Sequence, residues 1–314
     1  MELVLIIVGL IGLWMGTKFI INSALGIATK FNLSHSFVGV AILAVGTDFP
    51  EVFVSLKASF LQLKGIESSG IITGNAIGSC ISQITLILGV AGLFLKFSIS
   101  KKDFIRDGTA MLGSIILLYL FGMDGRITHL EGAIMLILYI IYYVVLMKTQ
   151  SVAEENENKD GINYSNTKLA LMLLAGFVVL IFASHLVVDN SMLLAEKMGV
   201  AQSFVGIVII GLGTSLPELA VSIGAALKKS AGMSVGNVIG SNIFDGLIPI
   251  GLGGVISEVN LESNLIKLDI PLLFASTLFV LLFLRTKRGI SKSEGIALLL
   301  MFVGYLLIKF FTLN

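Results

Sequence analysis

Two carboxylates stand directly after prolines inside long apolar stretches of this chain, and the two stretches are near copies. The first runs Ser36-Phe-Val-Gly-Val-Ala-Ile-Leu-Ala-Val-Gly-Thr-Asp-Phe-Pro-Glu51. The second runs Ser203-Phe-Val-Gly-Ile-Val-Ile-Ile-Gly-Leu-Gly-Thr-Ser-Leu-Pro-Glu218. Each has a second echo downstream, Gly74-Asn-Ala-Ile-Gly-Ser79 and Gly236-Asn-Val-Ile-Gly-Ser241. An acid facing hydrocarbon costs about 2.5–3.5 kcal/mol and usually marks an ion path. No Lys or Arg lies within 36–56, 70–95, 203–227 or 233–256 to offset these charges. The acids must therefore bind cations or protons, or line water.

Proline supplies the neutral ligands. Pro50 and Pro217 lack an N–H and clash with the carbonyl one turn back, so each helix kinks. Carbonyls near Ala44 to Thr47 and Gly211 to Thr214 are expected to lose their partners. Bare carbonyls at membrane depth are tolerated only where something polar faces them. Hard cations take oxygen ligands, six to eight for Ca²⁺, so carbonyls, hydroxyls and carboxylates form a matched set. In a helix Thr47, Asp48 and Glu51 share one face, as do Thr214, Ser215 and Glu218. Ser79 with Gln83, and Ser241 with Asp245, are each four apart and point the same way. The glycines beside them allow close helix contact. The candidate metal ligands are thus Glu51, Glu218, Asp245, Asp48, Thr47, Thr214, Ser215, Ser79, Ser241, Gln83 and the backbone of Ala44 and Gly211.

The elements that position these residues follow from composition. The chain has 314 residues, 56% hydrophobic and 13% charged, about half the charged fraction of a soluble protein. Ten apolar segments can be marked, roughly 2–27, 36–60, 70–95, 104–122, 130–148, 168–196, 203–227, 233–256, 267–285 and 293–312, near the ~20 residues needed to cross a bilayer. The expected fold class is an all-α membrane protein. A polar stretch, 149–166, divides it into a five-helix repeat over 1–148 and another over 167–314. Roughly half of 36–55 is identical to 203–222. With five spans per half, the second copy must be inverted, the arrangement of secondary transporters with midplane sites. Most of the 21 Lys and Arg lie with connections 1–2, 3–4, 5–6, 7–8 and 9–10. The positive-inside rule puts those ends in the cytoplasm of a multi-pass cell-membrane protein and both termini outside.

Other features carry less. Cys80, the single cysteine, excludes an internal disulfide. His185 and Asp189 are four apart in the sixth span but are not duplicated in the first, and His35 and His129 fall at loop ends where solvation is expected. There is no basic tract for nucleic acid, no obligatory protein partner is expected, and the signatures of intramembrane proteases are missing. An enzyme is not expected.

These motifs resemble the sodium/calcium exchanger family of the cation/calcium antiporter superfamily, across nearly the whole chain. The resemblance implies an antiporter exchanging Ca²⁺ for Na⁺ by alternating access, with no resident cofactor. It implies Ca²⁺ between Glu51 and Glu218, helped by Thr47 and Thr214, and Na⁺ around Ser79, Ser215, Ser241 and Asp245. Ser241-Asn-Ile-Phe-Asp245 also looks like the potassium-dependent branch, so H⁺ and K⁺ stay open as coupling ions. Two residues depart from the family pattern: Asp48 where Ser is usual, and Gln83 where many members have Asn. The hypothesis drawn from the extra acid is that Asp48 alters ion stoichiometry or takes up a proton. Transport by an Asp48→Ser variant over a pH series should then change in coupling ratio or pH dependence; unchanged behaviour in both rejects the idea.

Overall fold

The computed structural model describes residues 2–94, 100–149, 164–197, 215–287 and 290–312. The chain is nearly all helical. Its helices are α1 (Glu2–Phe31), α2 (His35–Leu63), α3 (Ser69–Phe94), α4 (Lys101–Gly122) and α5 (His129–Lys148). After the polar stretch come α6 (Asn166–Lys197), α7 (Leu216–Leu227), α8 (Ala231–Ser257), α9 (Leu265–Arg285) and α10 (Lys292–Thr312). Two short strands, β1 (Arg126–Ile127) and β2 (Val259–Asn260), pair antiparallel. Among the described residues, eight helices are long and apolar enough to cross a membrane: α1 to α6, α8 and α9. Of the expected seventh span only the 12 residues of α7 are described, and α10 is a 21-residue helix outside that set. Most of the polar linker and residues 198–214 lie outside the described residues.

Helix starts are written locally. Ser34 caps α2 by accepting from the Phe37 N–H. Thr128 and Glu131 form a reciprocal capping box at α5, which satisfies N–H groups that the helix cannot. Asn32 closes α1 with φ 52°, a left-handed conformation that Asn tolerates better than most residues.

Packing depends on small residues. Helices α1 and α6 run antiparallel, tied at one end by Glu2 and Lys197 (2.8 Å) and at the other by Lys30 donating to the Tyr164 carbonyl (3.3 Å). Between those ties the backbones nearly touch; a Cβ on Gly16 would lie 2.9 Å from the Leu180 nitrogen. Helices α2 and α8 run parallel. His35 meets Ser230 at 2.8 Å where they begin, Ser55 donates to the Pro249 carbonyl midway, and Gln62 donates to the Glu258 carbonyl (3.0 Å) where they end. His35 is therefore buried and partnered, not solvated as expected, because the start of α8 closes over it. Without a hydrophobic drive between helices in lipid, such close backbone contact supplies much of the association energy.

Helix α8 forms the centre, with 78% of its span buried against 22% for α5 and for α6. Helix α3 crosses it antiparallel at Cys80 and Asn242, where the Asn242 amide donates to the Cys80 carbonyl (2.8 Å) and the Cys80 thiol to the Asn242 carbonyl (3.5 Å). Each of these two residues directly follows its Gly-Asn echo, so equivalent positions face each other.

A Cβ on Gly39 would meet the Met233 carbonyl oxygen at 2.6 Å, with backbone that cannot swing aside. Gly39→Ala should destabilise by about 1–3 kcal/mol. Gly113→Ala, where nothing lies within 4 Å, should be neutral or slightly stabilising. Thermal unfolding of the two variants in one detergent checks both.

Candidate functional site

The two Pro-Glu segments start helices in the same manner. Helix α2 is interrupted at Asp48 (φ −83°, ψ 2°) and restarts at Phe49. Helix α7 starts after Ser215, which has the matching conformation (φ −89°, ψ 9°). This sparsely allowed bridge region recurs in functional residues. Glu51 and Glu218 thereby fall in the first turns of new helices, where the positive end of the macrodipole favours a carboxylate.

The break is narrower than the sequence implies. The Ala44 carbonyl is not bare: it accepts from the Asp48 N–H at 3.0 Å and lies 3.2 Å from the Thr47 hydroxyl, which is also 3.1 Å from the Leu43 carbonyl. What Pro50 must leave without an N–H partner is the Gly46 carbonyl, four residues back. The Thr47 hydroxyl keeps lone pairs for a cation while its proton goes to the helix. Before the break, Gly39–Ala44 is π-helical, and another π-helical stretch, Gln83–Ile87, begins at a candidate ligand. Such widened turns accumulate at functional sites.

Four acids converge from three helices. Asp48, Glu51, Glu218 and Asp245 are all 0% exposed. Asp48 lies in electrostatic reach of Asp245 and Glu218, and Glu51 of Asp245 and Asp48. Glu218 in turn feels Glu51 and Asp245. None forms an ion pair with a basic residue among the described residues. Both oxygens of Asp48, Glu51 and Glu218, and Oδ1 of Asp245, have no hydrogen-bond partner in the protein. Ser79 stands beside Glu51 and Ser241 beside Asp48, but both hydroxyls are buried without closing a hydrogen bond. Buried charge left this way is strongly unfavourable, and a cation among these oxygens removes the cost.

The remaining candidates are placed as follows. Gln83 donates to Asp245 Oδ2 at 2.7 Å and accepts from the Asn242 amide at 3.3 Å, so it orients the acid. Ser215 meets Ser82 at 3.2 Å. Thr214 and Gly211 lie outside the described residues. His185 and Asp189 are exposed on α6 and make no pair with each other, so they form no relay into the site. Among the described residues, no three acidic, His or Cys side chains gather tightly enough for a ready-made metal cage.

Sequence reasoning missed several neighbours. Asn242 ties α8 to α3, and Asn237 holds α7 by donating to Ser222 Oγ at 3.0 Å. Asn237 sits in the repeated motif, where a buried amide was a readable signal, and Asn242 directly follows it, opposite Cys80 in the first copy. Tyr139 of α5 lies in electrostatic reach of Asp48 and Asp245, with its ring edge-on to Phe244 (centroids 5.3 Å apart). Nothing in the repeats pointed to it.

A family model described as sodium/calcium exchanger protein matches residues 1–148 and 168–311. An uncharacterised membrane protein of Methanocaldococcus jannaschii is 33% identical, over 95% of this chain and 94% of its own. The sodium/calcium exchanger MaX1 of Methanosarcina acetivorans is 27% identical, over 98% of each. Among solved structures, the sodium-calcium exchanger NCX_Mj, soaked with Na⁺ and Ca²⁺, superposes with a TM-score of 0.82 at 29% identity over 96% of both chains. Other structures of NCX_Mj were soaked with Na⁺ and Sr²⁺.

If the acids repel each other without a cation, neutralising one should stabilise the ion-free protein. Glu51→Gln and Glu218→Gln should each raise the unfolding temperature in chelator and blunt the rise that Ca²⁺ produces in the parent. Unfolding temperatures equal to the parent's with and without Ca²⁺ would contradict this.

Proposed function

Because the chain belongs to the sodium/calcium exchanger family, we propose that it is a secondary antiporter that moves Ca²⁺ against Na⁺ across a membrane. The observation that carries this reading is the set of four buried acids with partnerless oxygens, three of them beside the two Pro-Glu helix starts. Glu51 and Glu218 are the shared ligands. One Ca²⁺ or several Na⁺ neutralise them, but the same oxygens cannot hold both loads. Occupancy is then mutually exclusive, and the fluxes are coupled.

Around that pair, Thr47 and Thr214 contribute hydroxyl or backbone oxygen to Ca²⁺. Ser79, Ser215, Ser241 and Asp245 hold Na⁺, with Gln83 orienting Asp245. Ala44 is a weaker backbone ligand than the sequence implied, since it already accepts from Asp48 and Thr47. Gly211 stays in the set as its counterpart in the second half. The architecture is ten spans in two inverted five-helix halves, 1–148 and 167–314. Support comes from the matching conformations of Asp48 and Ser215 and from the reciprocal contacts of Cys80 with Asn242. Both termini lie outside the cell. The antiparallel pair α1 and α6 slides past the core of α2, α3, α7 and α8 to alternate access.

Protein in vesicles should accumulate Ca²⁺ when an outward Na⁺ gradient is imposed. A pH gradient or a K⁺ gradient in place of Na⁺ should drive little uptake. Glu51→Gln and Glu218→Gln should each cut Na⁺-driven uptake at least tenfold. Uptake that follows the proton gradient instead, or Ca²⁺ flux without any counter-ion, overturns the assignment.

A further inference from the structure

We infer that the groove between α4 and α9 binds an anionic phospholipid, one acyl chain lying in the groove and the phosphate held between Lys101 and Arg285. The inference needs only the membrane setting of the chain and goes beyond its exchange reaction. The groove encloses about 600 Å³. Its depth comes from Gly108, where a side chain is missing; a Cβ there would meet Leu281 Cδ2 at 3.0 Å. Leu281 and Leu284 are buried beneath it. From Lys101 to Leu112 the groove follows α4 for roughly 16 Å, about half the ~30 Å hydrocarbon core. It is therefore as long as one leaflet is thick.

Charge selects the occupant. Lys101 and Arg285 stand at the same end of the groove, both exposed, and make no ion pair or hydrogen bond among the described residues. The groove on the other flank of α4, about 650 Å³, has Arg106 at its mouth. That guanidinium is already held by Asp103 at 2.9 Å and Asp107 at 2.6 Å. Two unspent cations above an apolar slot fit a phosphate with its chain below, and basic pockets between spans recognise anionic headgroups in this manner. A protein partner would need acidic side chains at membrane depth, where they are costly.

The test uses the full-length protein in nanodiscs of equal phosphatidylglycerol and phosphatidylcholine, released into detergent for native mass spectrometry. The parent should retain phosphatidylglycerol over phosphatidylcholine by roughly tenfold. Lys101→Gln combined with Arg285→Gln should bring that ratio near one, and Gly108→Leu should lose the retained lipid of both kinds. Equal retention by the parent overturns the proposal, as does a preference that survives the double variant or tight lipid that survives Gly108→Leu. Both polar substitutions are on exposed side chains, so folding is not at stake. Lipid retention is read without transport, so its failure is distinct from failure of the exchange assay.

Discussion

Uncompensated negative charge in a dry interior is the constraint to which this structure answers. Four acids sit where water does not reach, and no basic side chain comes to meet them among the described residues. Elsewhere in the same protein buried acids are paired: Asp107 with Arg106, and Asp269 with Lys309 at 2.6 Å. The central four have no such partner among the described residues, and a cation or a proton among them would relieve the cost of burying them.

The architecture around the acids reduces the cost of holding them. Starting a helix just before each Glu places the acid at a helix N-terminus, so backbone dipoles offset part of the repulsion. The break also leaves the Gly46 carbonyl without its helical donor. Holding a broken helix needs neighbours that do not yield. Glycine contacts bring α2 against α8 backbone to backbone, and hydrogen bonds from Ser55 and Gln62 fix the register beyond the break. Gln83 and Asn242 bind α3 to α8 within the site itself. The acids are thus held in a scaffold of close helix contacts.

Much of this is legible in the sequence because it depends on local chemistry. A proline cannot donate to the carbonyl four residues back, and α2 is interrupted at Asp48, two residues before Pro50; the stretch ahead of Ser215 lies outside the described residues. Apolar runs long enough for a bilayer become helices, as eight of the ten marked segments do by length and composition. The misses have other causes. The Ala44 carbonyl keeps its donors because Pro50 removes the donor to the residue four back, Gly46, while the Asp48 N–H still reaches Ala44. His35 is buried because a helix nearly 200 residues away begins beside it. Tyr139 reaches the acids from a helix outside the repeated motifs.

The residue types alone determined that acids without counter-charges would stand in apolar helices, that prolines would break those helices beside them, and that two copies of the arrangement exist. These outcomes depend on covalent structure and on the solvent a long apolar run requires. Only the tertiary structure decided which acids share one cluster, which amide orients Asp245, and which glycine contacts lock α2 to α8. Those depend on distances between residues far apart in the chain, and spacing along the chain carries no measure of distance across it.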